Sequence, residues 1–224
     1  MVIVLDSDNL VDDKFLTSMN NAYQAGSRII QAHRTAKNRN TPSALLDACF
    51  EEINNSIFRK GHVQRGFYAS LIGSGIGFEY NWFRENVSKV FTIGEDKEFE
   101  ALLMKQGNFV EYLDDVMVYD EKTQVIAHFN KQRRRWVAAQ WNALRRNILN
   151  LPLAILQGKN DYVDKIIQWM LIPRTILMVI ILFMCIVLPF ISGVAAIKWY
   201  VLGALIMLIY AMSLPDSMVT KDFN

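Results

Sequence analysis

Cysteine is nearly absent from this chain of 224 residues: Cys49 and Cys185 are the two it has. They lie far apart in sequence, which excludes a disulfide scaffold and favours a reduced, cytosolic body. An excess of charge of either sign is missing too. The 24 Lys and Arg nearly cancel the 22 Asp and Glu, for a net charge of +2. A nucleic-acid binder carries a concentrated basic footprint, so no nucleic-acid partner is expected. Disorder is excluded by 52% hydrophobic residues at such low net charge. Histidine is scarce, and His33, His62 and His128 share no ligand spacing, which argues against a metal site built from imidazoles. Neither an internal repeat nor a low-complexity stretch is present.

Charge disappears altogether from one region. Between Thr175 and Pro215 the single charged residue is Lys198. Residues 175–192 and 199–214 are apolar runs, the second lengthened by 194–197. A membrane-spanning helix needs about 20 mostly apolar residues, so the two runs read as a transmembrane hairpin with lipid as its partner. Ser192 and Gly193 make a tight break between them, and Pro189 suits a helix end. Trp199 and Tyr200 beside Lys198 resemble an interfacial anchor. A buried soluble hairpin is the alternative, but a chain this short could hardly cover two helices that are apolar all round. Both runs are C-terminal and the opening residues do not read as a signal peptide. Lys165 and Arg174 precede the first run, and the body ahead of them is Arg-rich. The positive-inside rule therefore places the body and the Lys221 end in the cytosol, in a multi-pass protein of the cell membrane.

The body reads as alternating strands and helices. VIVLD at 2–6 is an uninterrupted apolar run, as expected of a buried parallel strand. Helices are expected at 11–25, 44–59 and 95–106, and strands at 27–32 and 112–119. That alternation argues for an α/β layer fold, in which ligands bind beyond the carboxyl ends of the strands. Residues 136–157 form a basic amphipathic helix, with Trp141, Leu144, Ile148 and Leu151 at helical spacing and Arg145 and Arg146 off that stripe. It reads either as lying in the membrane interface or as packed on the body. Pro152 marks a kink or a second helix start.

Four short signals could carry chemistry. Asp6-Ser7-Asp8 ends the first strand; two carboxylates there suit a divalent cation and, through it, a diphosphate, or they simply cap a following helix. Gly73-Ser74-Gly75-Ile76-Gly77 lacks the Lys-Ser/Thr of a phosphate-binding P-loop; it either lets backbone approach a ligand closely or makes a tight turn. Gly94-Glu95-Asp96 opens a helix, where an acid is commonly a partner of the helix dipole. Gln132-Arg133-Arg134-Arg135-Trp136 could be a solvated face or an inner-leaflet contact, although the Gln and Trp are then unexplained.

Taken together and in this order, the four resemble the family-2 glycosyltransferases of the membrane-integrated processive type, the cellulose, chitin, hyaluronan and poly-N-acetylglucosamine synthases. Asp6-Ser7-Asp8 is similar to the family DxD, Gly73-Ser74-Gly75 to its Gly-Ser-Gly segment, Glu95-Asp96 to its Glu-Asp pair, and Gln132, Arg135 and Trp136 to its Gln-x-x-Arg-Trp motif. The resemblance covers about residues 2–136.

The resemblance implies an α/β fold, a partial GT-A (Rossmann-like) domain over 1–130. Interfacial amphipathic helices would follow at 131–172, two transmembrane helices at 173–215 and a short cytosolic tail at 216–224. It implies inverting transfer of a hexose or N-acetylhexosamine from a UDP-sugar to a polysaccharide or glycan acceptor. Asp8, helped by Asp6, would hold Mg²⁺ or Mn²⁺ on the diphosphate. Asp96 would be the general base, with Glu95 positioning its loop. Gln132 and Arg135 would bind the pyrophosphate or the acceptor region, Trp136 would face a sugar ring, and Gly73, Ser74 and Gly75 would line the acceptor side. Gln31, at the end of the second strand, fits the family pattern or a structural role equally. The family carries donor-binding strands ahead of the DxD, so the chain is expected to be a fragment or one part of a split enzyme, with an apolar sheet edge left open. Other chains of a synthase complex are possible partners. The alternatives are an inactive membrane fragment of such an enzyme, or a phosphatase using Asp6 as nucleophile, which leaves Gln-x-x-Arg-Trp unexplained.

Overall fold

The structure is a computed structural model that describes residues 1–90 and 94–219. Two compact units divide it, the first spanning Met1–Trp169 and the second beginning at Met170. Of the expected cytosolic tail, residues 220–224, Lys221 among them, lie outside the described residues.

The first unit is a mixed α/β core. Its strands are β1 (Val2–Val4), β2 (Leu10–Val11), β3 (Ile29–Ala36), β4 (Ile76–Phe78) and β5 (Val110–Asp120), in the sheet order β1-β4-β3-β5-β2. Among the described residues only β3 and β5 run parallel; the other pairs are antiparallel. The opening strand was expected to be buried and parallel, yet β1 is a half-buried antiparallel edge strand. An apolar run of this length is compatible with either place, and periodicity alone does not separate them.

Successive strand residues serve opposite faces of the sheet. Ile29 joins a core with Phe78, Phe99, Leu103 and Ile166, whereas Ile30 joins Phe15, Met19 and Val118 on the other side. The first face is covered by α5 (Glu95–Gln106) and α8 (Asn160–Met170), the second by α1 (Phe15–Gln24). Register slips between Ala32 and His33: Ala32 pairs with Leu113 but His33 with Met117, leaving Asp114, Asp115 and Val116 unmatched. This bulge reverses which face of β5 is which, since Val110 and Tyr112 belong to the first core and Val118 to the second.

Local chemistry explains the helix ends. Thr41 caps α2 (Pro42–Asn54), accepting from Ala44 N at 3.2 Å, with Pro42 in the first turn. The expected continuation to residue 59 is a π-helical turn, Asn55–Lys60, wound so that buried Arg59 donates to Ser70 O at 3.0 Å. Helix α5 matches its expected limits because acids fill its first turn and Gly107 ends it at φ +72°. Short helices α3 (Gly61–Gln64) and α4 (Tyr80–Asn86) join these elements.

Helix α6 (Ile126–Asn147) carries the Gln-x-x-Arg-Trp segment and is followed by a 3₁₀ turn, Ile148–Asn150, and α7 (Leu151–Leu156). Leu144, Ile148 and Leu151 pack on the first core, while Trp141, Leu149, Leu153 and Leu156 are exposed. In the second unit, α9 (Arg174–Val187) is followed by a 3₁₀ turn, α10 (Gly193–Met212) and α11 (Asp216–Val219). Helix α10 is apolar and, at 20 residues, long enough to cross a membrane. Helices α9 and α10 pack antiparallel: Tyr200 Oη donates to Cys185 O at 2.9 Å, and the Arg174 guanidinium lies 5.6 Å from the Tyr210 ring centre. Both cysteines are free thiols.

Candidate active site

The Asp6–Asn9 loop leaves β1 and closes on itself, Asn9 N donating to Asp6 O at 3.1 Å and Asp6 N to Asn9 Oδ1 at 3.2 Å. It also rests on the glycine segment. Asp6 N donates to Ser74 Oγ at 3.1 Å, the Ser74 hydroxyl donates to Asn9 Oδ1, and Gly75 N donates to Val4 O at 2.9 Å. Gly73 and Gly75 take φ of +37° and +70°, and a Cβ on Gly75 would come 3.0 Å from Val118. Fully buried Gln31 pins this turn from behind: its Nε2 donates to Ser74 O at 3.0 Å, and its Oε1 accepts from Ile72 N at 2.9 Å. The first two sequence signals are therefore one structure, the second buttressing the first. Gly73 lines the adjacent cleft, whereas Ser74 and Gly75 are buried beneath the loop.

Pairing of β2 with the end of β5, Leu10 opposite Tyr119, brings a third acid to Asp6 and Asp8. Carboxylate oxygens of Asp6, Asp8 and Asp120 all lie within 4.8 Å of one another. Asn9 Nδ2 bridges them, 3.1 Å from Asp120 Oδ1 and 3.4 Å from Asp8 Oδ1. Asp120 was not singled out in the sequence; its signal is its place at the carboxyl end of a strand. Partial burial pushes the Asp6 carboxyl above its ordinary pKa, with Asp120, Asp8 and Glu95 pushing the same way and Arg34 opposing them. Three hard oxygen donors under mutual repulsion fit a divalent cation. Asp6 and Asp8 are exposed, so a ligand can reach them.

A cleft of about 460 Å³ gathers Asp6, Gly73, Glu95, Asp96, Gln132, Arg135 and Trp136. Asp8 is outside that lining and joins it only through the acid triad. Glu95 Oε2 accepts from Gly94 N at 3.2 Å. Asp96 Oδ2 is 3.2 Å from Lys97 Nζ, which is also 3.2 Å from Glu100 Oε2. Glu100 is buried and accepts from Leu71 N at 2.7 Å and from Lys165 Nζ at 3.2 Å. Charges of alternating sign thus run from Asp96 through Lys97 and Glu100 to Lys165. Burial is the largest influence on both Glu100 and Lys165. In Glu100 the two ammonium groups overcome it and hold the carboxyl low, whereas in Lys165 burial prevails and lowers the pKa despite Glu100.

The start of α5 abuts α6 through Gly94, whose Cβ would come 2.8 Å from that of Ala139. On α6, Gln132 Oε1 accepts from Thr123 Oγ1 at 3.3 Å. Arg135 and Trp136 are exposed to the cleft, with 40% of Trp136 accessible. Arg133, which the sequence reading did not assign, packs its guanidinium 4.5 Å from the Phe50 ring centre, 4.9 Å from Phe129 and 5.5 Å from Trp136. Its Nη2 is 3.4 Å from Asp47 on α2, so one side chain fixes α6 to α2 and supports the Trp136 indole.

The profile of glycosyl transferase family group 2 matches residues 1–214, and the chain belongs to that family. No curated protein matches it significantly. Membership and the acid triad are both consistent with a transferase site that holds a metal.

Proposed function

We propose that the protein is a membrane-bound inverting glycosyltransferase that moves a hexose or N-acetylhexosamine from a UDP-sugar to a polysaccharide or glycan acceptor. The observation that carries this reading is the single cleft in which Asp6, Asp96, Gln132, Arg135 and Trp136 meet in a chain of this family. The Asp6, Asp8 and Asp120 carboxylates would hold Mg²⁺ or Mn²⁺, with Asp8 the principal ligand. The ion would neutralise charge on the departing diphosphate. Asp96 would take the proton of the acceptor hydroxyl as that oxygen bonds to the anomeric carbon and the bond to the diphosphate oxygen breaks. A base so placed contributes about 10²–10⁴-fold. Glu95 orients the Asp96 turn through Gly94 N, Arg135 and Gln132 bind the diphosphate or the acceptor end, and Trp136 gives a sugar ring its indole face. Gly73 lines the acceptor side, with Ser74 and Gly75 shaping its turn.

The second unit is proposed as a transmembrane hairpin, α9 crossing with help from its 3₁₀ turn, and the body on the cytosolic side. Exposed Leu149 in the 3₁₀ turn and Leu153 and Leu156 on α7 support contact of this segment with lipid. Other chains of a synthase complex would complete a polymer path that two spans cannot enclose.

The test is UDP release from membranes containing the chain, across a panel of UDP-sugars with Mn²⁺, beside Asp96→Asn. Release with one donor, lost in the variant, is expected. Equal release from Asp96→Asn would overturn the assignment of the base.

A further inference from the structure

The acid triad is already countered by cations of the protein itself. Lys122 is buried; its Nζ donates to Asp120 Oδ2 at 2.8 Å and also reaches Glu51. Arg34, also buried, donates from Nε to Glu51 Oε1 at 2.7 Å and stands 3.8 Å from Asp120 and 4.0 Å from Asp6. Asp6, Asp8, Asp120 and Glu51 thus confront two cations of the protein, with Asp47 in electrostatic reach of both and Arg59 in reach of Glu51. Asp120 is nevertheless engaged at both oxygens, Oδ1 by Asn9 Nδ2 and Oδ2 by the Lys122 ammonium. An ion in the triad needs an Asp120 lone pair and is repelled by the ammonium beside it.

We propose that Lys122 is an internal counter-cation that competes with the divalent ion for Asp120, and so sets how weakly this site holds metal. Binding draws Asp120 away from Lys122, whose ammonium keeps Glu51 as its partner. Lys122 therefore stays neutralised in both states, and Glu51, linked to Arg34 and Lys122 alike, is the anchor that permits the exchange. The inference rests on the metal reading of the triad made above.

The experiment is titration of the full chain in detergent with Mn²⁺ alone, followed by calorimetry and by the Mn²⁺ electron-spin-resonance signal. Removing one positive charge at this range should tighten Mn²⁺ binding about tenfold in Lys122→Met, while Lys122→Arg stays near wild type. Lys122→Met removes one of the two ion-pair partners of buried Glu51 and can fail to fold, so the comparison is repeated in a Glu51→Gln background. There the added Lys122→Met change should again tighten binding about tenfold. Equal or weaker affinity in both charge-free variants, relative to their parents, overturns the proposal. Asp120→Asn separates this from the premise. If it binds Mn²⁺ as wild type does, Asp120 is not a ligand and the triad reading itself has failed. If it weakens binding while Lys122→Met does not tighten it, only the competition is refuted.

Discussion

Replacing Gln31 with Met tests whether the glycine turn is held from within the sheet. The side chain has no solvent exposure and makes three good contacts: Nε2 to Ser74 O at 3.0 Å and Ala32 O at 2.9 Å, and Oε1 from Ile72 N at 2.9 Å. Met fills a similar volume but leaves the Ile72 N–H and the Ser74 carbonyl without their side-chain partner. Each buried polar group so orphaned costs about 1–3 kcal/mol, so the change should destabilise the body by about 3 kcal/mol. For a unit of this size that is a fall in Tm of about 6–12 °C. Ser74→Ala removes one hydroxyl, and Asp6 N retains Asn9 Oδ1 as an acceptor; a loss of only about 1 kcal/mol is expected there. Both variants should loosen the Asp6–Asn9 loop and weaken Mn²⁺ binding, because both act on what that loop rests upon. The assay is thermal unfolding in detergent read by tryptophan fluorescence, paired with calorimetric Mn²⁺ titration. A Gln31→Met protein with unchanged Tm, or one that is destabilised with unchanged Mn²⁺ affinity, would refute the argument that the turn supports the acids.

Other expectations follow from single contacts. Trp136→Ala should raise the KM for acceptor several-fold with little change in Tm, since the ring is 40% exposed, and Trp136→Phe should restore most of the difference in initial-rate assays. Gly94→Val should lower Tm, because φ of +143° and a Cβ 2.8 Å from that of Ala139 leave no room for a side chain. His33 has a raised pKa: burial, the largest influence, lowers it, but Glu52 and Asp114 together outweigh that. Its stabilising contribution is therefore complete below about pH 6.5 and lost as pH rises through the higher folded value. Denaturant titrations from pH 6 to 8.5 should show that decline, and His33→Gln should flatten it. Chelation of metal from a saturated sample should lower Tm, by up to about 2.7 kcal/mol of linked stability at a hundredfold excess over Kd.

What could be read from the sequence was what is decided locally. Helix α5 was legible at both ends because glycines and first-turn acids lie within its own span. The second strand was expected to stop at Ala32, but β3 runs on through His33, Arg34 and Thr35 to Ala36. Those polar residues look like a loop until Glu52 and Glu51 arrive from α2 to meet them, at 3.0 Å from His33, 2.6 Å from Thr35 and 2.7 Å from Arg34. The helix expected from residue 11 starts at Phe15 because Leu10 and Val11 are spent on pairing with β5. That same pairing is what carries Asp120 to Asp6 and Asp8, and no pattern around Asp120 announces it. Most of the residues expected to form a site, from Asp6 to Trp136, line one cleft, while Asp8, Ser74 and Gly75 lie outside its lining. Arg133 escaped notice because its role lies in three rings, one of them on another helix.

The unmatched Asp114, Asp115 and Val116 give β5 two independently phased halves. The half that begins at Val110 is committed to packing beneath α5 and α8, and the half that ends at Asp120 is committed to the acids. An odd number of skipped residues lets a single strand meet both demands, where an unbroken one would have to present Asp120 on the same side as Tyr112. The parity of that segment is therefore its constraint. Two residues gained or lost there would keep Asp120 on its face, whereas one would turn it over and carry it away from Asp6 and Asp8.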